Sequence, residues 1–227
     1  MTIILLVFSS ITTDNLSLNQ EARVIIEALE KSKEKDKFTL ELRSVNRPSD
    51  LQRVFLEVNP NIVHFLGNET SSYEGLVFQD QSGQRIPLSS EALASLFKLF
   101  EDRVECVVLR DIYSETQVKA IAQHINYVIG IQHAIISKNS LVFIAGFYEA
   151  LFSGSSIENA YLFGRNAIEL EGFPESNYPI LNQKVEKSSI SINLRQRLED
   201  EIRKDFEILK VLEDELRFEI DNSHFET

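Results

Sequence analysis

Ile3-Ile4-Leu5-Leu6-Val7-Phe8 is an unbroken apolar, β-branched run close to the start of the chain. A run without polar alternation has no face to offer water, so it reads as a strand covered on both sides. It is far too short to span a bilayer. No basic residues precede it and no small-residue cleavage site follows it, so an export signal is not expected. A doubly covered strand requires helices on both faces of its sheet, and the rest of the chain must supply them.

The following segments alternate accordingly. Leu18 to Lys31 has helical spacing, with Ala22, Ile25, Ile26 and Leu29 on one face. Phe38 to Val45 alternates like a half-buried strand. Pro48-Ser49-Asp50 opens a helix carrying Leu51, Val54, Phe55 and Val58, and Asn59-Pro60-Asn61 breaks it. Ile62 to Leu66 is a second buried strand, ending at Gly67. Gly75 to Phe78 and Gln84 to Leu88 flank Asp80-Gln81-Ser82-Gly83, a hairpin signal. Ser90 to Phe100 reads as a helix, Val104 to Leu109 as a strand, Ser114 to Ile125 as a helix and Tyr127 to Ile131 as a strand. Ser140 to Leu151 and Ser156 to Leu170 read as helices separated by Gly154, and Pro174 and Pro179 punctuate an irregular exit. Strand–helix alternation predicts an α/β fold: a mostly parallel sheet of five main strands between helical layers, plus a small β-hairpin.

The tail has a different texture. Residues 183–193 are polar and rich in Ser and Lys, like a linker. From 194 to 220 a charged amphipathic helix is expected, with Leu194, Leu198, Ile202, Phe206, Leu209, Leu212, Leu216 and Ile220 recurring every three or four residues. Such a stripe serves either to lie on its own domain or to dock a partner or a second copy. The expected organisation is a domain over 1–182, the linker 183–193 and the helix 194–220.

Composition removes several function classes. The net charge of -12 over 227 residues argues against nucleic acid and anionic membranes as partners, since both need clustered Lys and Arg. The single cysteine, Cys106, cannot form an internal disulfide, which fits a reducing, cytoplasmic location. Only 8 glycines are present, and no phosphate-cradling Gly motif is among them. One Cys and four scattered His residues give no metal-ligand spacing, so neither a metal nor a cofactor is expected. In a parallel sheet the chemistry gathers past the carboxyl ends of the strands, here Ser9 to Asp14, Gly67 to Ser72 and Arg110 to Ser114.

Two segments at those ends stand out: Pro60-Asn61-Ile62-Val63-His64-Phe65-Leu66-Gly67-Asn68-Glu69 and Val104-Glu105-Cys106-Val107-Val108-Leu109-Arg110-Asp111-Ile112-Tyr113-Ser114-Glu115. They resemble the catalytic strand ends of the CHAT-type bacterial caspase-like cysteine peptidases, which typically carry His-Phe-Ser-Gly-His-Gly and Leu-Asn-Ala-Cys-Tyr-Ser. The resemblance extends through Leu16 to Ala28, Gly75 to Asp80, Ala120 to Gly130, Gly146-Phe147-Tyr148 and Ala167 to Gly172, covering roughly residues 1–182. It implies a caspase-like three-layer sandwich, with the base His at 68 and the nucleophilic Cys at 112.

This chain departs from that pattern where the chemistry sits. Position 68 is Asn68, the following Gly is Glu69, position 112 is Ile112, and the usual Asn-Ala pair is Arg110-Asp111. Asn68 does not titrate near neutrality and Ile112 has no heteroatom, so neither half of a thiolate–imidazole pair exists. His64 reads as a hydrogen-bonded structural imidazole, Cys106 as a buried thiol, Ser114 as a helix cap, and Arg110 with Asp111 as a surface ion pair. Tyr113 is placed to line the cleft. Ile135-Ile136-Ser137-Lys138 stands where the family usually has Ile-Gly-Asp-Lys.

The expectation is therefore a non-enzyme, a pseudopeptidase acting as a protein-interaction or regulatory module. Resemblance alone suggests a bacterial signalling, defence or cell-death assembly. Leu198, Ile202, Phe206, Leu209, Leu212 and Leu216 are the candidate partner-binding residues. His64, Gly67, Glu69, Arg110, Asp111, Tyr113 and Ser114 line the relic cleft. Two alternatives remain: a small-ligand sensor using that cleft, or a hydrolase with displaced residues drawn from Ser114, Cys106 and His64.

Overall fold

The computed structural model describes residues 1–8, 15–66, 77–80, 82–110, 115–131, 137–173 and 179–184. All of them belong to one compact unit, Met1–Lys184. The second unit, Val185–Thr227, lies outside the described residues, and with it the expected tail helix and its stripe from Leu194 to Ile220.

The strands are β1 (Thr2–Phe8), β2 (Phe38–Ser44), β3 (Ile62–Phe65), β4 (Val77–Gln79), β5 (Arg85–Pro87), β6 (Cys106–Arg110), β7 (Tyr127–Ile131) and β8 (Ile180–Gln183). The helices are α1 (Asn15–Lys31), α2 (Pro48–Val58), α3 (Ser90–Lys98), α4 (Glu115–Ala122), α5 (Ser137–Phe152) and α6 (Ile157–Leu170). A 6-stranded sheet runs in the order β2-β1-β3-β6-β7-β8, parallel throughout except for β8. β4 and β5 form a separate antiparallel hairpin.

The sheet is the middle of three layers. Ile4, Leu6, Ile62, Cys106, Val108, Ile129 and Ile131 face one side and pack with residues of α1, α5 and α6. Leu5, Val7, Val63, Phe65, Val107, Leu109 and Val128 face the other and pack with α2, α3 and α4. The strict period of two follows from the pleat, and apolar residues on both faces are the reason these strands read as continuous runs.

Local chemistry ends the elements where the turn residues stand. α2 begins with Pro48 in its first turn and stops at Asn59, which takes the left-handed conformation at φ 49. Ser156 accepts from the Asn159 N–H and caps α6. In the hairpin turn, Asp80 Oδ1 accepts from the Ser82 and Gln84 N–H groups, and Gly83 sits at φ +83.

Three expectations change. The exit after Pro179 is not irregular: Ile180–Gln183 adds β8 as an antiparallel edge strand, and the Lys184 N–H donates to the Asn126 carbonyl. Residues 183 and 184, read as linker, therefore belong to the domain. Four residues with a polar second half carry no strand period; β8 exists because the edge of β7 offers a ladder. α5 starts at Ser137, three residues before the expected Ser140. On α1, Ile26 is 41% exposed and Ala28 faces the core in its place, because the buried stripe runs through Glu21, Ala22, Ile25 and Ala28.

Candidate functional site

Period two along β3 places His64 on the same face as Ile62, and along β6 it places Arg110 with Cys106 and Val108. Both side chains thus point toward α1 and α5, into an apolar layer. Parallel pairing of Phe65 with Leu109 brings the carboxyl ends of β3 and β6 side by side. His64 is fully buried and Arg110 nearly so. Charged groups occur there only when paired.

Glu21 on α1 is the pairing group, and it too is fully buried. Its Oε2 accepts from Arg110 Nη1 at 2.8 Å. Its Oε1 lies 3.1 Å from His64 Nε2, within ion-pair range but off hydrogen-bond alignment. On the far side of the ring, His64 Nδ1 and the Tyr148 hydroxyl are 2.9 Å apart, and the two rings are stacked at an interplanar angle of 4°. Arg110 Nε donates to Ser140 Oγ at 3.0 Å. One cluster therefore ties α1, β3, β6 and α5 together.

Arg110 is a permanent cation facing the Glu21 carboxylate. In the tautomer with the hydrogen on Nε2, facing that carboxylate, His64 accepts the Tyr148 O–H at Nδ1. This tautomer is assigned from the bonding pattern. Burial alone raises the Glu21 carboxyl, but His64 and Arg110 outweigh it and hold it below its ordinary value of 4.5. Burial pushes the Tyr148 hydroxyl well up, with the neighbouring Cys106 and Glu21 adding to the effect.

A depressed folded-state value has a definite sign. The stabilisation from Glu21 is complete above about pH 4.5, where the unfolded chain has also lost its proton, and it fades as pH falls through the folded value. Glu21→Gln should therefore flatten the fall of unfolding free energy with pH below about 4.5, measured by urea titration at a series of pH values. An unchanged slope would show that Glu21 is not held ionised in the fold.

Of the expected cleft residues, the structure describes His64 and Arg110 and brings them together through Glu21. Arg110 is not half of a surface ion pair, as expected, but a buried cation bound to Glu21 and Ser140. β6 continues through residue 110 on its inward face, and that register decides the matter. Gly67, Asn68, Glu69, Asp111, Ile112, Tyr113 and Ser114 lie outside the described residues, as do Leu198, Ile202, Phe206, Leu209, Leu212 and Leu216. Cys106 is fully buried, and burial followed by the Glu105 carboxylate drives its thiol far up, opposite to the direction a nucleophile needs.

Glu21, Ser140 and Tyr148 were not legible as site residues. Glu21 did leave a signal. It stands four residues before Ile25 and seven before Ala28, an acid within the buried stripe of a helix. Among the described residues no group of His, Cys, Asp and Glu is arranged to hold a metal, and no helix is long and apolar enough to cross a membrane.

No protein-family model and no curated protein matches the chain. Among solved structures it is similar to the pyridoxal kinase of Staphylococcus aureus in complex with pyridoxal, at 10% identity and a TM-score of 0.39, over 74% of this chain and 87% of that one. It is also similar to an ADP complex of Bacillus subtilis pyridoxal kinase, at 10% identity and a TM-score of 0.36, over 81% of this chain and 97% of that one. Superpositions this loose carry no argument about function.

Proposed function

We propose that the protein is a catalytically inactive caspase-like domain of the CHAT type that works by binding protein. The observation that carries this reading is the state of the two side chains best suited to replace a lost dyad. His64 is fully buried between Glu21 and Tyr148, and Cys106 is fully buried in the apolar layer. Both are closed off from solvent, and the positions usual in the family hold Asn68 and Ile112. A mostly parallel three-layer sheet with a hairpin between β3 and β6 is the frame that the sequence resemblance implies. On this reading the protein acts in the cytoplasm, and the stripe from Leu198 to Leu216 carries the association.

Two measurements test the proposal. Fluorogenic peptides with acidic, basic and apolar residues at the cleavage position should remain intact with the wild-type protein. Light scattering and partner capture should show an association that Leu209→Asp with Leu212→Asp abolishes, at an unchanged Tm of the 1–184 core. Peptide cleavage that Ser114→Ala removes would establish a displaced enzyme instead. Association that survives both Asp substitutions would reject the tail as the docking element.

A further inference from the structure

β2 ends the 6-stranded sheet, and among the described residues no strand pairs with its outer edge. The Val45 N–H donates to the Phe8 carbonyl at 2.8 Å, so the odd-numbered residues of this stretch turn their backbone groups to β1. Those of Leu40, Leu42 and Ser44 therefore point outward. Past Ser44 the edge is taken up, because the Gln79 N–H donates to the Asn46 carbonyl at 2.7 Å. Leu42 is 46% exposed on this edge, although Phe38 and Leu40 on the same face pack against the core. Glu41 and Arg43 stand on the opposite face, paired with each other at 2.6 Å and partly exposed.

A strand edge with outward N–H and C=O groups is a template for another strand. Two identical edges join about a two-fold axis, and their side chains select the register. Centring the axis on Glu41 sets Glu41 against Glu41, and centring it on Arg43 sets Arg43 against Arg43. Centring it on Leu40 sets Arg43 against Lys37. Like charges directly opposite are unfavourable. Centring it on Leu42 sets Leu42 against Leu42, Leu40 against Ser44, and each Glu41 against the Arg43 of the other copy. The backbone agrees with this register. The outward-facing Leu42 residues exchange both N–H···O bonds, and Glu41 and Arg43 occupy the non-hydrogen-bonded pairs, where side chains lie closest.

We propose that β2 is a self-association edge, onto which the β2 of a second copy of this chain adds antiparallel with Leu42 on the two-fold axis. On pairing, the Arg43 guanidinium leaves the Leu42 carbonyl, to which it donates at 3.2 Å, for Glu41 of the second copy. The contact from Leu40 to Ser44 is far smaller than the roughly 20–30 residues a side of a stable interface, so its Kd is on the order of 0.1 mM. It is unpopulated at micromolar concentration and acts where another contact already tethers two chains, since effective concentrations then reach about 1 mM. This inference rests on β2 alone, not on the pseudopeptidase reading.

The test uses the full chain carrying Leu209→Asp and Leu212→Asp, so that association through the tail stripe does not contribute. Sedimentation equilibrium up to about 0.5 mM should show a monomer–dimer equilibrium. Over the same range, hydrogen exchange at the Leu42 amide should slow with concentration, while the Glu41 and Arg43 amides, already turned to β1, should not change. Arg43→Glu sets two acids opposite each other and should weaken the dimer about tenfold. Glu41→Arg with Arg43→Glu restores opposite charges in the same register and should return the Kd to within about threefold of its starting value. A monomer throughout the range overturns the proposal. So does a dimer indifferent to Arg43→Glu, one that the exchanged pair does not restore, or one that leaves the Leu42 amide exchanging as before.

Discussion

Glu21→Ala should cost about 3–5 kcal/mol of unfolding free energy in urea titrations. The loss does not come from the ion pair's own strength, since desolvation offsets most of the attraction within a buried pair. It comes from what remains behind: the Arg110 guanidinium, with a side-chain exposure of 1%, would keep its charge in an apolar layer without the Glu21 carboxylate. His64 Nε2 would lose the carboxylate it faces in the same step. Removing both charges together should behave differently. Glu21→Leu with Arg110→Met removes both charges of that pair, and exchanges of this kind are neutral or stabilising in other cores. The double variant should therefore be markedly more stable than Glu21→Ala alone. A single-variant cost below about 1 kcal/mol would mean that water reaches the cluster.

The second large effect is expected between α5 and α6. Phe143 is fully buried, stacks on Phe147 and meets Tyr161 edge-on. Phe143→Ala should cost about 3–5 kcal/mol, from lost transfer energy and the cavity left behind. Its ring lies against bare backbone: a Cβ placed on Gly164 would come within 2.7 Å of two ring carbons and 2.9 Å of the Phe143 carbonyl oxygen. Gly146 makes the reciprocal approach, with Gly164 Cα 3.1 Å from where its Cβ would stand. Gly164→Ala should then cost about 1–3 kcal/mol by overpacking. The two changes share one space, so their costs should fall short of additivity in a double-mutant cycle. Strict additivity would show that the two helices do not interlock at this point.

Much of the architecture was legible in the chain. Ile3 to Phe8, Ile62 to Leu66 and Tyr127 to Ile131 announced themselves because strands covered on both faces need apolar residues at every position. Pro48 and Asn59 bracket α2, and Asp80 with Gly83 marks the hairpin, because these residues favour backbone shapes that others avoid. β8 left no such trace. An edge strand with one neighbour is made by its ladder, and Ile180-Leu181-Asn182-Gln183 has neither length nor alternation.

The candidate site divides along the same line. If the proposed resemblance holds, Asn68 and Ile112 stand where its thiolate–imidazole pair would be, and neither side chain can move those protons. Sequence also sufficed to predict a buried His64 and Cys106, since both stand in apolar strand runs. The partners of His64 and the fate of Arg110 could not be read that way. Glu21 lies 43 residues from His64 and 89 from Arg110 along the chain, and Tyr148 lies 84 from His64. Their meeting depends on parallel strand order, on the face each strand turns to α1 and α5, and on which stripe of α1 is buried. Local pattern determines which residues can be buried; only the packed layers decide which buried charges meet, because that contact is made between elements distant in sequence.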